Sequence, residues 1–161
     1  MIANLIILGL VTLSRLVELP IAARNTARLK AAGGHEVAAG HYPLIVALHV
    51  AWLGTLWLLA LHRSISLPFL VLFGLVEAAR IWVLQTLGPR WTTRIIVLPG
   101  ETLVSRGPYK FLNHPNYAVV IAEIALLPLV FGLWQVALIF SALNAAILTI
   151  RIREENRAIR G

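Results

Sequence analysis

Apolar residues arrive in five blocks along this chain, and polar residues collect in the gaps. The blocks are Ile2–Leu19, Tyr42–Leu61, Leu67–Leu87, Tyr117–Val130 and Leu133–Ile150. A helix rises 1.5 Å per residue, so crossing the hydrocarbon layer takes about 20 residues. The first three blocks meet that length. The last two are shorter and parted only by Phe131-Gly132. They predict a tight helical hairpin that crosses thinly, or one arm that re-enters. The pattern predicts an all-α polytopic membrane protein with about five transmembrane helices. Residues 1–161 form one domain, with three spans in 1–87 and a loop, hairpin and tail in 88–161.

Composition agrees with lipid as the solvent. The chain is 59% hydrophobic and 13% charged, against about 25% charged in soluble domains. Arg24, Arg28 and Lys30 fall between blocks one and two. Arg90, Arg94, Arg106 and Lys110 fall between blocks three and four, and Arg151, Arg153, Arg157 and Arg160 in the tail. Arg63 alone falls between blocks two and three. Five spans put the three rich segments on one side, and the positive-inside rule makes that side cytoplasmic. The N-terminus is then outside. The net charge of +7 flanks apolar blocks, so topology and anionic headgroups account for it better than nucleic acid. The first block lacks a basic n-region, and Arg15 and Glu18 interrupt its end, so it is a poor signal peptide. There is no cysteine, which excludes disulfides, thiolate catalysis and Cys-ligated metal. His35, His41, His49 and His62 lack the four-residue pairing beside a carboxylate that a metal site needs. Trp52, Trp57, Trp82, Trp91 and Trp134 are expected to anchor at the interfaces.

Some charges lie inside the blocks. Arg15 and Glu18 are three apart, as are Glu77 and Arg80, which puts each pair on one helical face. Glu123 has no such partner. Intramembrane charges face the protein interior. One reading makes them ties between helices. The other has Glu123 and Glu77 lining a cavity near the cytoplasmic side.

The 98–117 connection is dense in turn and aromatic residues. Pro99-Gly100 and Gly107-Pro108 predict turns, and 101–104 can be extended. His114-Pro115 disfavours helix at His114, so a helix can begin at Pro115, with Asn113 as its cap. Such a start exposes N–H groups that favour an anion. Tyr109 and Tyr117 offer flat faces to an adenine or a sulfonium. Glu154 and Glu155 return to the same membrane face, where a carboxylate can take an ammonium or ribose hydroxyls. Together these match the groups of S-adenosylmethionine. An interfacial loop with anchoring aromatics fits the residues about as well.

The stretch Leu103-Val104-Ser105-Arg106-Gly107-Pro108-Tyr109, then His114-Pro115-Asn116-Tyr117, then Arg151-Ile152-Arg153-Glu154-Glu155 resembles the isoprenylcysteine carboxyl methyltransferase family. The likeness covers about residues 90–157. Arg24-Asn25 and Gly40-His41-Tyr42-Pro43 resemble, more weakly, a short bacterial branch associated with type III polyketide synthases, whose members methylate alkylpyrones. The resemblance implies S-adenosylmethionine as cofactor. It places Glu101, Thr102, Leu103, Val104, Tyr109, His114, Pro115, Asn116 and Tyr117 against it. Glu155 joins them, with Glu154 as the register alternative, and Arg94 matches loosely. Arg151 falls on the methyl-acceptor side and is the candidate catalytic residue. Two departures stand out. Asn113 replaces the usual Arg before His-Pro, and the sequence stops at Gly161 where eukaryotic members carry an aromatic-rich tail. Both favour a simpler lipid-like acceptor over a prenylcysteine.

Methyl transfer asks the protein for positioning, desolvation and an ionised acceptor. The expected activity is O-methylation of an alkylpyrone or similar lipophilic polyketide, linked functionally to a polyketide synthase. The acceptor would enter from the bilayer of a bacterial inner membrane. Rival readings are methylation of a prenylcysteine carboxylate or a lipid amine, and a non-enzymatic membrane subunit or transporter. A reductase of related membrane fold would need a nicotinamide fingerprint, and none is evident.

Overall fold

The computed structural model describes residues 1–37, 39–100, 102 and 104–160. Five helices dominate: α1 (Ile2–Ala31), α2 (Tyr42–Leu59), α3 (Leu67–Leu87), α4 (Pro115–Val130) and α5 (Trp134–Arg160). Two short strands, β1 (His35–Val37) and β2 (Ile95–Val97), pair antiparallel with Glu36 opposite Ile96. Among the described residues, four helices are long and apolar enough to cross a membrane, and α4 is a shorter apolar helix. In lipid every backbone polar group must be satisfied internally, and a helix does this within one segment.

Several boundaries differ from the pattern-based expectation. Helix α1 runs through Pro20 to Ala31, twelve residues past the apolar block. Proline removes one N–H, but a single missing bond does not end a helix that packing continues to support. The tail is not a loose extension, because α5 continues unbroken to Arg160. The last apolar block is therefore the core of a full-length helix, and α4 is the thin arm of the hairpin. Gly132, with φ of 68°, makes the turn between them. The extended segment lies at 95–97, ahead of the expected 101–104. Thr102 and Val104 are irregular, and Glu101 and Leu103 lie outside the described residues. Turns do form at Pro99-Gly100 and at Gly107–Lys110. Helix α4 starts at Pro115, but its N-cap is His114 without a side-chain cap bond, so Asn113 does not cap it.

Helix α1 is fastened at both ends by asparagines. Asn4 Nδ2 donates to the Ala60 and Arg63 carbonyls at 2.7 and 2.8 Å. Asn25 Nδ2 donates to the Gly88 and Trp91 carbonyls at 3.2 and 2.8 Å. These carbonyls follow the ends of α2 and α3, where helical partners run out. The two asparagines stand about 32 Å apart at 1.5 Å per residue, close to one bilayer thickness.

Packing divides along the membrane normal. A core of Leu8, Leu48, Trp52, Leu56, Phe73, Ile124, Leu127 and Phe131 fills the half nearer the N-terminus. Trp52 and Trp91 are buried, so only part of the tryptophan set is exposed as anchors, notably Trp82 and Trp134. Below that core sits a cluster of charges from three helices. Arg15 reaches Glu18 at 3.3 Å, Glu77 at 3.2 Å and Glu123 at 3.0 Å. Arg80 pairs with Glu18 and meets Glu123 at 3.0 Å. Glu77 and Arg80 therefore reach across to other helices and do not pair with each other. Glu123 is buried between two arginines and lines neither main cavity. The cluster ties α1, α3 and α4 together.

Removing Glu123 should expose that dependence. Breaking a buried pair from one side costs about 3–5 kcal/mol, because the partner charges stay buried. Glu123→Ala should therefore unfold at markedly lower temperature or denaturant in detergent micelles. Glu123→Gln, which still accepts hydrogen bonds, should lose less. An Ala variant as stable as wild type would show that the cluster does not hold the bundle.

Candidate functional site

At the end of the bundle opposite the N-terminus, α4 begins where α5 leaves the apolar layer. Arg151 and Glu155 are four apart on α5 and share a face. Both reach Tyr117 in the first turns of α4. The Tyr117 hydroxyl donates to Glu155 Oε2 at 2.5 Å and accepts from Arg151 Nε at 3.1 Å. His114 stacks on the Tyr117 ring at 5.4 Å between centroids and 25° between planes. Its Nδ1 lies 3.7 Å from Glu155 Oε2. Arg151 is 8% exposed, and Nη2 donates to the Thr93 carbonyl at 2.6 Å. Arg151, His114, Tyr117 and Glu155 thus form one constellation, with Pro115 buried at the start of α4. Glu155 keeps about a quarter of its side chain exposed, so it can receive a further donor from the aqueous side.

Tyr109, in the preceding turn, lies within electrostatic reach of the same carboxylate. Burial pushes its phenol up to about 12, and the Glu155 charge pushes the same way. Tyr109 therefore stays a neutral donor throughout the physiological range.

Other expected residues are placed elsewhere. Glu154 pairs with Arg157 at 3.0 Å along the exposed side of α5. Glu155 joins the constellation and Glu154 does not. Arg94 lies beside the constellation on a second arm. It bonds Glu36 at 2.5 Å and covers the Tyr42 ring at 4.0 Å. Lys30 holds the other Glu36 oxygen at 2.7 Å. The Lys30 bond, with Arg94 behind it, keeps the Glu36 carboxyl below its ordinary range against a smaller opposing effect of burial. Tyr42 Oη meets Thr93 Oγ1 at 3.2 Å, which connects this arm to Arg151. The Thr102 carbonyl accepts from Arg90 at 2.9 Å and the residue is exposed. Val104 lines a cavity on the far side of the loop with Arg28 and Arg106. Asn116 is half-buried beside Tyr117. Glu101 and Leu103 lie outside the described residues.

Sequence reasoning missed Thr93, Tyr42 and Glu36. Tyr42 stood in a recognised His-Tyr-Pro turn. Thr93 contributes a backbone carbonyl, which no side-chain pattern reveals.

An apolar cavity of about 340 Å³ opens between α3 and α4, and His114, Tyr117, Arg151 and Glu155 do not line it. Val76, Ala79, Val83, Phe111, Pro115 and Val119 line it. Phe111 and Leu112 are exposed at its mouth.

The fold is that of an all-α integral-membrane protein. Residues 67–160 match the family model described as isoprenylcysteine carboxyl methyltransferase (ICMT), and the chain belongs to that family. Its members are membrane methyltransferases that use S-adenosylmethionine as methyl donor. The chain is similar to an uncharacterized protein of Bacillus subtilis (strain 168), YpbQ, at 36% identity over 96% of this chain and 95% of that protein. It is also similar to an uncharacterized protein of Haemophilus influenzae, at 26% identity over 90% of this chain and 88% of that one. No solved structure matches the chain.

Tyr109 supplies a direct test of the site's electrostatics. Its folded pKa lies above the ordinary value, so the folded state holds this proton more tightly. Its contribution to stability is complete below pH 10 and is lost as pH rises from about 10 to about 12. An ultraviolet difference titration should show a late tyrosine ionisation near pH 12 that disappears in Tyr109→Phe. Glu155→Gln should lower that midpoint. A midpoint unmoved by Glu155→Gln would place Tyr109 away from the carboxylate.

Proposed function

We propose that the protein is an S-adenosylmethionine-dependent O-methyltransferase acting on a lipophilic acceptor such as an alkylpyrone or related polyketide. The observation that carries this reading is the meeting of Tyr117, His114, Glu155 and Arg151 where α4 begins and α5 leaves the apolar layer. The residues fit the cofactor's groups. Glu155 is placed to take an ammonium, and the His114–Tyr117 stack offers a ring surface. The N-terminus of α4, which opens on Pro115, favours a carboxylate through the helix dipole, although the Tyr117 and Ala118 N–H groups already donate to the His114 carbonyl. S-adenosylmethionine, when bound, supplies the electrophilic methyl group.

The chain's own residues supply the rest. Arg151 is buried, cationic and bonded through Nε and Nη2, which fixes its plane. Its remaining donors favour an acceptor oxygen held as an anion. That charge favours an enolate, phenolate or carboxylate over an amine. An acidic hydroxyl loses its proton readily in water, so no strong base is required. The α3–α4 cavity, which reaches Pro115 at the start of α4, offers apolar surface on which a lipophilic acceptor could rest. Methylation of a prenylcysteine carboxylate uses the same geometry and is the second reading, favoured by the family match.

We further place the protein in a bacterial inner membrane with the N-terminus outside and the constellation facing the cytoplasm. The clustering of Arg90, Arg94, Arg106, Arg151 and Arg153 at one end supports this orientation. A functional link to a polyketide synthase would supply the acceptor.

Calorimetric titration with S-adenosylhomocysteine tests the donor half. Losing one charged hydrogen bond is worth roughly 1.5–3 kcal/mol, so Glu155→Ala and His114→Ala should each weaken binding about tenfold or more. Glu154→Ala should leave it nearly unchanged. No binding by wild type at millimolar ligand would remove the methyltransferase reading. Arg151→Ala should cut transfer to the preferred acceptor at least as steeply. Arg151→Lys should recover only part, since a point charge cannot hold Tyr117 and Thr93 together. Full activity of the lysine variant would reduce Arg151 to an interfacial anchor. The panel should include a long-chain alkylpyrone, an alkylresorcinol and a prenylcysteine, and preference for the last would select the second reading.

Orientation is separately testable because the chain lacks cysteine. Single cysteines at Ala32 and Ser105 should react with an impermeant maleimide only after the cytoplasmic face is opened. Labelling of either in intact cells would invert the topology.

A further inference from the structure

Phe111 and Leu112 are 74% and 51% exposed, although they lie in the connection between α3 and α4. They follow directly on the short turn Gly107–Lys110, which packs on α3. Gly107, with φ of 57°, approaches α3 so closely that a Cβ there would meet Thr86 Oγ1 at 2.5 Å. Arg106 donates to the Thr86 carbonyl at 3.4 Å, and Pro108 is buried. The turn is thus seated on the end of α3 with its two following apolar side chains left uncovered. We propose that this turn and the two residues after it dock into the leaflet at the loop end of the bundle, with Phe111 and Leu112 inserted at the level of the acyl chains.

Continuity with the lipid-facing surface supports this partner. Leu75, Ile81 and Trp82 are exposed on α3 and Ile121 on α4, and in a spanning helix such faces meet lipid. The apolar cavity between the two helices ends at Pro108, Phe111 and Leu112. Ala79, Ala118 and Ala122 leave room in it. An acyl chain of the bilayer fits a groove so lined, and a lipophilic acceptor would displace that chain under the proposed function. In water the same turn would hold two large apolar side chains next to each other in solvent, continuous with Trp82.

The backbone is suited to that depth. Within lipid an unpaired N–H has no water to turn to. Pro108 and Pro115 carry no N–H. The Tyr109 N–H donates to the Arg106 carbonyl at 3.2 Å, and those of Phe111 and Leu112 both donate to the Pro108 carbonyl at 3.1 Å. The inserted pair therefore offers lipid no free N–H. Lys110 is exposed beside them, and its long stem can lie on apolar surface while the ammonium reaches the headgroups. Tyr109 and His114 flank the pair, so docking steadies the segment that carries both.

The test uses the full-length, cysteine-free chain in phospholipid nanodiscs. Phe111→Cys, Leu112→Cys, Ser105→Cys and Leu75→Cys each carry a nitroxide label, read by paramagnetic resonance for collision with oxygen and with a neutral nickel chelate. Oxygen concentrates in hydrocarbon and the chelate in water. The ratio of oxygen to chelate collision at 111 and 112 should exceed that at 105 severalfold and approach that at 75. A ratio equal to that at 105 would overturn the proposal. Low collision with both reagents would overturn it too, because protein, a second copy included, would then cover the pair. Wild type gives a reading free of substitutions. In nanodiscs holding a phospholipid with a photoreactive diazirine in one acyl chain, adducts should map to residues 108–112 as well as to α3. Adducts on α3 with none in 108–112 would sink the proposal even if the cysteine variants do not fold. Neither measurement uses cofactor or acceptor, so its outcome is separate from that of the reaction proposed above.

Discussion

Glu123 held between Arg15 and Arg80 is the contact on which the bundle's arrangement depends. Lipid offers no water to any of the five charged groups gathered there, so each must find its partner in the protein. Three helices contribute, and none can shift along its axis without stranding a charge. This fixes α4 against α1 and α3, even though α4 is the shortest of the five. Tyr117 stands about 9 Å further along α4, at 1.5 Å per residue. The depth of the candidate site is therefore set by a salt-bridge cluster that takes no part in its chemistry.

From the other side, α5 closes the site with one rigid element. Because the helix continues past the apolar layer, Arg151 and Glu155 are delivered as a pair with fixed spacing. Both bond the same hydroxyl, which donates to one and accepts from the other. A loose tail would have to be ordered each time a ligand bound, at a cost in entropy. The helical tail has met that cost during folding. The β1–β2 ribbon and the Glu36 clamp play a similar part for Thr93, whose carbonyl anchors Arg151.

Much of the fold was legible because the membrane makes composition speak loudly. Five apolar blocks became five helices, and His114-Pro115 set the start of α4 through proline geometry alone. The ends were less legible. Pro20 and the charges after Leu19 read as a stop, yet contacts with the turn after α3 and the β1–β2 ribbon, with the Asn25 staple, carry α1 onward. Arg153, Glu154 and Asn156 read as tail, yet i,i+3 pairing such as Glu154–Arg157 lets a polar stretch remain helical. Of the site, His114, Tyr117, Arg151 and Glu155 were all nominated, because their residue types carry distinctive chemistry. Which of Glu154 and Glu155 meets Tyr117 was not legible, since one residue on a helix turns the side chain by about 100°. Thr93 was invisible for a different reason, because a carbonyl belongs to every residue alike.

The shortness of α4 has a consequence for the lipid itself. Its 16 residues span roughly 24 Å, several ångströms less than the hydrocarbon layer its neighbours fill. A bilayer must thin around it, or His114 and Pro115 must lie below the level of the surrounding headgroups. Either way the water boundary dips towards the constellation at the start of α4. Under the proposed function, a hydrophobic acceptor would then reach a reagent from the aqueous side without leaving its own phase. Bilayer thickness would become a variable of that reaction, since a thicker membrane deepens the dip and a thinner one removes it.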